Sequence, residues 1–188
     1  MFHKLRRLLP LATLLACTVG AAAVELAPGV PAPPLQLELL DGGTFDTTSQ
    51  RGKVIVLNFW ATWCAPCREE MPAIDAFYRA HRAQGLEVLA INIDAPRDMA
   101  KVRRVMKDFS LPVALASGNQ IAGYGRFARV PITFVIDRNG VLQFDGAKFT
   151  KLLDRPTLEK IVSPLLRSPK DATLVATSPV AGSSVVTP

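Results

Sequence analysis

Residues 54–59, Val-Ile-Val-Leu-Asn-Phe, form a β-branched, almost wholly apolar run, the pattern of a strand buried on both faces. Residues 86–93 repeat that character and predict a second buried strand. Between the two, residues 66–84 predict a helix closed by Gly85. Residues 97–109 set Val102, Val105, Met106 and Phe109 at helical spacing. A short strand is expected over residues 113–116 and another over 132–136. Asp137-Arg138-Asn139-Gly140 then turns the chain into residues 141–144 as an antiparallel hairpin. A last helix is expected over residues 157–167, with Thr157 as its cap. Upstream, residues 35–40 alternate apolar and polar positions, and Asp41-Gly42-Gly43 leads into Thr44-Phe45, the pattern of a small hairpin.

Strands alternating with helices, then a closing hairpin, predict an α/β domain over residues 35–167, with helices on both faces of one sheet. Residues 24–34 are rich in Pro and lack periodicity, so they read as a leader. From Ser168 to Pro188 the chain is Ser, Thr, Val, Ala and Pro without pattern, which predicts a disordered tail. There is no internal repeat.

The first residues follow a different logic. A basic stretch, residues 3–7, precedes an apolar one, residues 8–19, and then Gly20-Ala21-Ala22-Ala23. This is the layout of a secretory signal cleaved after Ala23, and the apolar stretch is too short to span a bilayer. Leu14-Leu15-Ala16-Cys17 is also similar to the lipobox of bacterial lipoproteins. That alternative ends the signal at residue 16 and places a lipid anchor on Cys17. Either route removes Cys17 from the pool of free thiols. The formal charge of +6 owes three of its positive charges to Lys4, Arg6 and Arg7. No basic run is interleaved with aromatics, so a nucleic-acid partner is not expected.

The chemistry concentrates where the first buried strand meets the first helix, in Asn58-Phe-Trp-Ala-Thr-Trp-Cys-Ala-Pro-Cys-Arg-Glu-Glu-Met-Pro72. A helix start offers unpaired N–H groups and the positive end of the dipole, which stabilise a thiolate. Cys64 and Cys67, three residues apart, fall on one helical face at a separation a disulfide can bridge. Pro66 suits a helix start and stiffens the loop between the sulfurs. Cys64, at the exposed edge, is the expected nucleophile, and Cys67, one turn inside, the resolving thiol. Plainer readings compete poorly. A structural disulfide closing so short a loop constrains the unfolded chain little. Zinc wants four ligands, and the chain after the signal offers two Cys and His81. A copper carrier would also want a third soft ligand near the pair.

The segment Phe59-Trp60-Ala61-Thr62-Trp63-Cys64-Ala65-Pro66-Cys67 resembles the active-site signature of the thioredoxin superfamily. With Leu57-Asn58 before it and Glu70 and Pro72 after it, it is similar to the exported TlpA/ResA branch. The likeness covers about residues 28–145, including the Gly52-Lys53 lead into the strand. It also takes in Val130-Pro131-Ile-Thr-Phe-Val-Ile-Asp137, which resembles the family's cis-proline loop. The resemblance implies a thioredoxin-like fold: a mixed central sheet with helices on both faces and an N-terminal β-hairpin extension. It implies that Pro131 is cis beside the Cys64 sulfur and that the backbone at Val130 offers an edge to a substrate strand. Trp63 would flank the disulfide, with core packing as the plain alternative. Glu70 would be the acid near the dithiol, or merely a helix-start carboxylate. Pro72 falls where the family helix kinks, as its interior position also predicts. Asn58 stands where cytoplasmic thioredoxins carry a buried Asp. Arg129, two before Pro131, replaces a frequent Gly; with Arg126 it would either form a basic rim favouring acidic partners or point idly into solvent. Residues 147–155 depart from the family's usual route into the last helix.

The function this implies is a periplasmic protein-disulfide reductase with no cofactor beyond the redox-active Cys64–Cys67 pair and no resident metal. Its expected partners are exported proteins bearing disulfides, such as apocytochrome c or copper-site maturation partners. A membrane thiol transporter would serve as electron donor. An oxidase or isomerase, a thiol peroxidase and a copper carrier are the alternatives. The direction of exchange depends on a redox potential that Ala65-Pro66 does not fix.

Overall fold

The structure, a computed structural model, describes residues 26–116, 120–126, 128–149 and 151–167. The export segment with Cys17, and the tail from Ser168, lie outside the described residues. Ten regular elements follow in order: β1 (Gln36–Glu38), β2 (Thr44–Asp46), β3 (Val54–Trp60), α1 (Ala65–His81), β4 (Leu86–Asn92), α2 (Met99–Met106), β5 (Val113–Leu115), β6 (Ile132–Ile136), β7 (Leu142–Asp145) and α3 (Arg155–Leu166). The main sheet has the order β5-β4-β3-β6-β7. Its β3–β4 and β4–β5 pairs are parallel, and its β3–β6 and β6–β7 pairs antiparallel.

β3 is central, which explains why its sequence is apolar without alternation: all seven residues are buried. Val54, Val56 and Trp60 face one cluster; Ile55, Leu57 and Phe59 face the other. The first cluster takes in Met71 and Ile74 of α1, Val102 and Met106 of α2, and Leu158 and Val162 of α3. All three α-helices therefore share one face. The chain moves outward from β3 to β4 to β5, and two right-handed crossovers in the same direction put α1 and α2 on the same side. On the opposite face the helical cover among the described residues is short 3-10 turns: Ala122–Tyr124, where Tyr124 donates to Pro33 O at 2.8 Å, and Thr47–Gln50, whose Thr47 hydroxyl accepts the Leu35 N–H at 2.9 Å. The rest of that face is closed by the β1–β2 hairpin through Leu37 and Phe45.

Both sheet edges are covered, which removes exposed strands that could recruit another chain. Leu40 N–H donates to Val113 O at 2.8 Å beside β5. At the other edge Gly29 N–H donates to Leu142 O, and Leu142 N–H to Val30 O. Residues 29–32, expected to be a patternless leader, thus work as backbone partners for β7. Arg138, in the β6–β7 turn, donates to Gly52 O, Gln84 O and Leu166 O, tying the ends of α1 and α3 to the sheet.

Two local expectations shift. α3 starts two residues early, because the Asp154 carboxylate accepts the Thr157 N–H at 2.9 Å. Asp154, not Thr157, is the cap, and Pro156 sits in the first turn, where a missing N–H costs nothing. The helix expected over 97–109 divides into a 3-10 turn at Pro96–Asp98 and α2.

Candidate active site

β3 delivers the chain to Ala61–Trp63, and Cys64 is the N-cap of α1. Its sulfur takes the place of the usual capping oxygen, accepting the Cys67 N–H at 3.1 Å. Cys64 and Cys67 are joined in a disulfide, with Cα atoms 5.3 Å apart. Cys67 is fully buried and Cys64 is 4% exposed, so Cys64 is less open than an exposed edge would make it. The covering element is the loop before β6: Val130 O lies 3.5 Å from Cys64 Sγ, and the Val130–Pro131 peptide is cis. Pro66 occupies the first turn of α1, and Pro72 its interior. Trp63 is 68% exposed beside the disulfide and is no part of the core.

The loop carrying Trp63 is held by Asp94 and Asn92, which belong to none of the sequence motifs. Thr62 N–H donates to Asp94 Oδ2 at 2.7 Å, and Asn92 donates to the same oxygen at 3.0 Å. Asp94 N–H returns to Asn92 Oδ1. The available signal was two polar residues ending an otherwise buried strand, which must find partners when they too are buried.

Glu70 lies well inside α1, not at its end, and only 3% of it is exposed. Asn58 donates to Oε1 at 2.8 Å, and the Leu153 N–H donates to Oε2 at 3.1 Å. Burial pushes its carboxyl above the ordinary carboxylate range, against the two hydrogen bonds that favour the anion. Three residues after Cys67, it shares that residue's helical face. Asn58 also donates to Thr133 Oγ1 at 2.9 Å, while its own Oδ1 has no partner among the described residues. Residues 147–155, without an assigned role in the sequence, bring Leu153 to the carboxylate. Together Glu70, Pro131, Thr133, Phe144, Phe149 and Leu153 line a small cleft behind the cis-proline loop.

The two arginines part company. Arg129 is exposed, yet its guanidinium donates to Ala147 O at 2.8 Å and Phe149 O at 3.0 Å, so it does not point idly into solvent. Arg126 is exposed. Among the described residues no group of three or more His, Cys, Asp or Glu side chains could hold a metal ion, and no helix is long and apolar enough to cross a membrane.

A strand-to-helix dithiol under a cis-proline loop, on a mixed five-stranded sheet, defines a thioredoxin-like thiol–disulfide protein. The family model that matches, described as the AhpC/TSA family, covers residues 28–145. The thiol–disulfide oxidoreductase ResA of Geobacillus thermodenitrificans is 37% identical over 117 residues, 61% of this chain and 66% of that protein. The chain thus spans just under two thirds of that relative's length. A ResA protein of Bacillus cereus is 31% identical over 133 residues, 71% of this chain and 73% of that protein. The crystal structure of a thiol:disulfide interchange protein of the thioredoxin family from Chlorobium tepidum TLS superposes with a TM-score of 0.66. It is 27% identical and covers 76% of this chain and 99% of that one. This chain belongs to the AhpC/TSA family and has a thioredoxin-like fold.

Proposed function

We propose that this chain is an extracytoplasmic thiol–disulfide oxidoreductase working in the reducing direction on disulfides of exported proteins. The observation that carries the reading is the Cys64–Cys67 pair at the α1 N-terminus, with Val130 O at 3.5 Å from the outer sulfur. In the reduced protein the Cys64 thiolate attacks one sulfur of a partner disulfide, forming a mixed disulfide and expelling the partner's other sulfur as a thiolate. Cys67, deprotonated, then attacks Cys64, closes the intramolecular disulfide and releases the partner as a dithiol. The helix N-terminus stabilises the attacking thiolate, and the backbone at Val130 serves as docking edge for the partner strand. Export rests on the basic, apolar and small-residue order of the first 23 residues. Apocytochrome c or a copper-site maturation factor as partner, and a membrane thiol transporter as electron donor, follow from the TlpA/ResA-like motif.

Equilibration of the Cys64–Cys67 couple with dithiothreitol buffers, read by alkylation and mass, tests the direction. A reductant should poise near the thioredoxin value, about −270 mV, and a value near about −120 mV would make the chain an oxidant instead. Turnover of hydrogen peroxide by the reduced protein would place it among the peroxidases.

Glu70 is proposed as the proton carrier for the buried Cys67, gaining the thiol proton during resolution and returning it in the reverse step. Glu70→Gln should then remove an inflection above the usual carboxylate range from the pH–rate profile of exchange. It should also change the pH dependence of stability. A carboxyl whose pKa is raised by folding contributes stability that is complete below its unfolded pKa and is lost as pH rises through the folded one. Denaturant unfolding across that window should show this loss in the native chain and not in Glu70→Gln. An unaltered pH–rate profile would return Glu70 to a structural role.

A further inference from the structure

We infer that Arg129 is a positioning residue for Glu70, acting through the chain that follows β7. Its guanidinium nitrogen donates to two carbonyls of that chain, Ala147 O at 2.8 Å and Phe149 O at 3.0 Å. The same stretch, once past Lys151 and Leu152, delivers the Leu153 N–H to Glu70 Oε2 at 3.1 Å. A second fixed point lies one residue before the clamp. Gly146 packs so closely on β6 that a Cβ there would meet the backbone of Thr133. Phe149 adds an edge-to-face contact with Phe144 of β7, ring centroids 5.4 Å apart. The stretch is therefore anchored at its start by sheet packing, in its middle by Arg129 and at its end by Glu70 and the Asp154 cap. Of these anchors only Arg129 belongs to the cis-proline loop, next to Val130, whose carbonyl faces the Cys64 sulfur. One exposed side chain thus links the loop over the nucleophile to the hydrogen bonding of the buried acid.

The groups facing Glu70 make its hydrogen bonds consequential. From β3 the uncharged Asn58 donates to it, Thr133 of β6 and Lys151 of the stretch itself line the same cleft, and Cys67 precedes it by one turn on its own helix. A backbone N–H on a largely buried carboxylate favours the anion, so an unclamped Leu153 lets the carboxyl keep its proton to higher pH. The basic-rim reading of Arg129 is different: there the charge acts directly on a docking partner, and the local chain is indifferent to it.

Arg129→Gln and Arg129→Lys separate the two, read by amide hydrogen exchange and by carbon NMR titration of the Glu70 carboxyl. The clamp predicts that in folded Arg129→Gln the Leu153 amide exchanges at least about tenfold faster, and that Glu70 titrates at higher pH. The shift should persist in about 0.5 M salt, on the order of the concentration at which exposed charges are screened within a few ångströms. Arg129→Lys, which keeps the charge and donors without the planar fork, should fall between the two proteins. Unchanged Leu153 exchange, or a Glu70 shift that vanishes in salt, would overturn the clamp and leave Arg129 a rim charge. The inference rests on the Glu70 reading only for its catalytic consequence. If Glu70→Gln leaves the pH–rate profile intact, proton transfer by Glu70 fails while the NMR result still decides the clamp.

Discussion

Replacing Cys64 with Ser should abolish thiol–disulfide exchange, lowering the rate by at least about three orders of magnitude, the scale on which removing a nucleophile acts. Cys67→Ser should instead leave a protein that reacts once with each partner and stops at the mixed disulfide. The two sulfurs are not equivalent. Cys64 caps the helix, accepts the Cys67 N–H and faces the Val130 carbonyl, whereas Cys67 has no exposed surface at all. Of the two cysteines only the first keeps some exposure and borders the Val130 edge, so its sulfur is the one a partner's disulfide is expected to meet. The measurement is a non-reducing gel of each variant after incubation with an oxidised protein substrate, followed by mass mapping of the joined cysteine. Trapped adducts on Cys67 of Cys64→Ser, and none on Cys64 of Cys67→Ser, would reverse the assignment.

What the sequence made legible divides by range. The buried strands, α1 and the dithiol are local patterns: a β-branched run, a helical spacing, two cysteines three apart. The Val130–Pro131 cis bond came only from family resemblance, because either isomer of an X-Pro bond fits the same local residues. Glu70 shows how far spacing goes. Its position three after Cys67 gives the shared face, but its burial is decided by Asn58 from β3 and by Leu153 from 83 residues away in sequence. Arg129 reaches carbonyls 18 and 20 residues downstream, and a backbone acceptor leaves no trace in side-chain pattern. The leader at 29–32 is the same case, since its bonds to β7 are between main chains and are indifferent to its Pro-rich composition. Placing α1 and α2 on one face needed the strand order, which no single segment encodes.

Gly146→Ala should cost about 2–3 kcal/mol of stability, the upper part of the range for forcing extra volume into a packed site. In a domain of this size that lowers the melting temperature by about 10 °C. The reason is contact with backbone rather than with a side chain that could swing away. A Cβ at this position would lie 2.6 Å from Thr133 N and nearer still to Thr133 O. β6 cannot yield, because Thr133 pairs with Asn58 of β3 in the middle of the sheet and its hydroxyl accepts from the Asn58 amide. The 3-10 turn at Gly146–Lys148 must move outward instead. That displacement should strain the Arg129 bonds to Ala147 and Phe149 and draw the Leu153 N–H away from Glu70. Thermal unfolding followed by circular dichroism measures the first effect, and the pH–rate profile of exchange the second. Gly146→Ala should therefore both melt earlier and show its Glu70 inflection at higher pH. A variant that melts like the native chain would mean that the turn can retreat from β6 without loss.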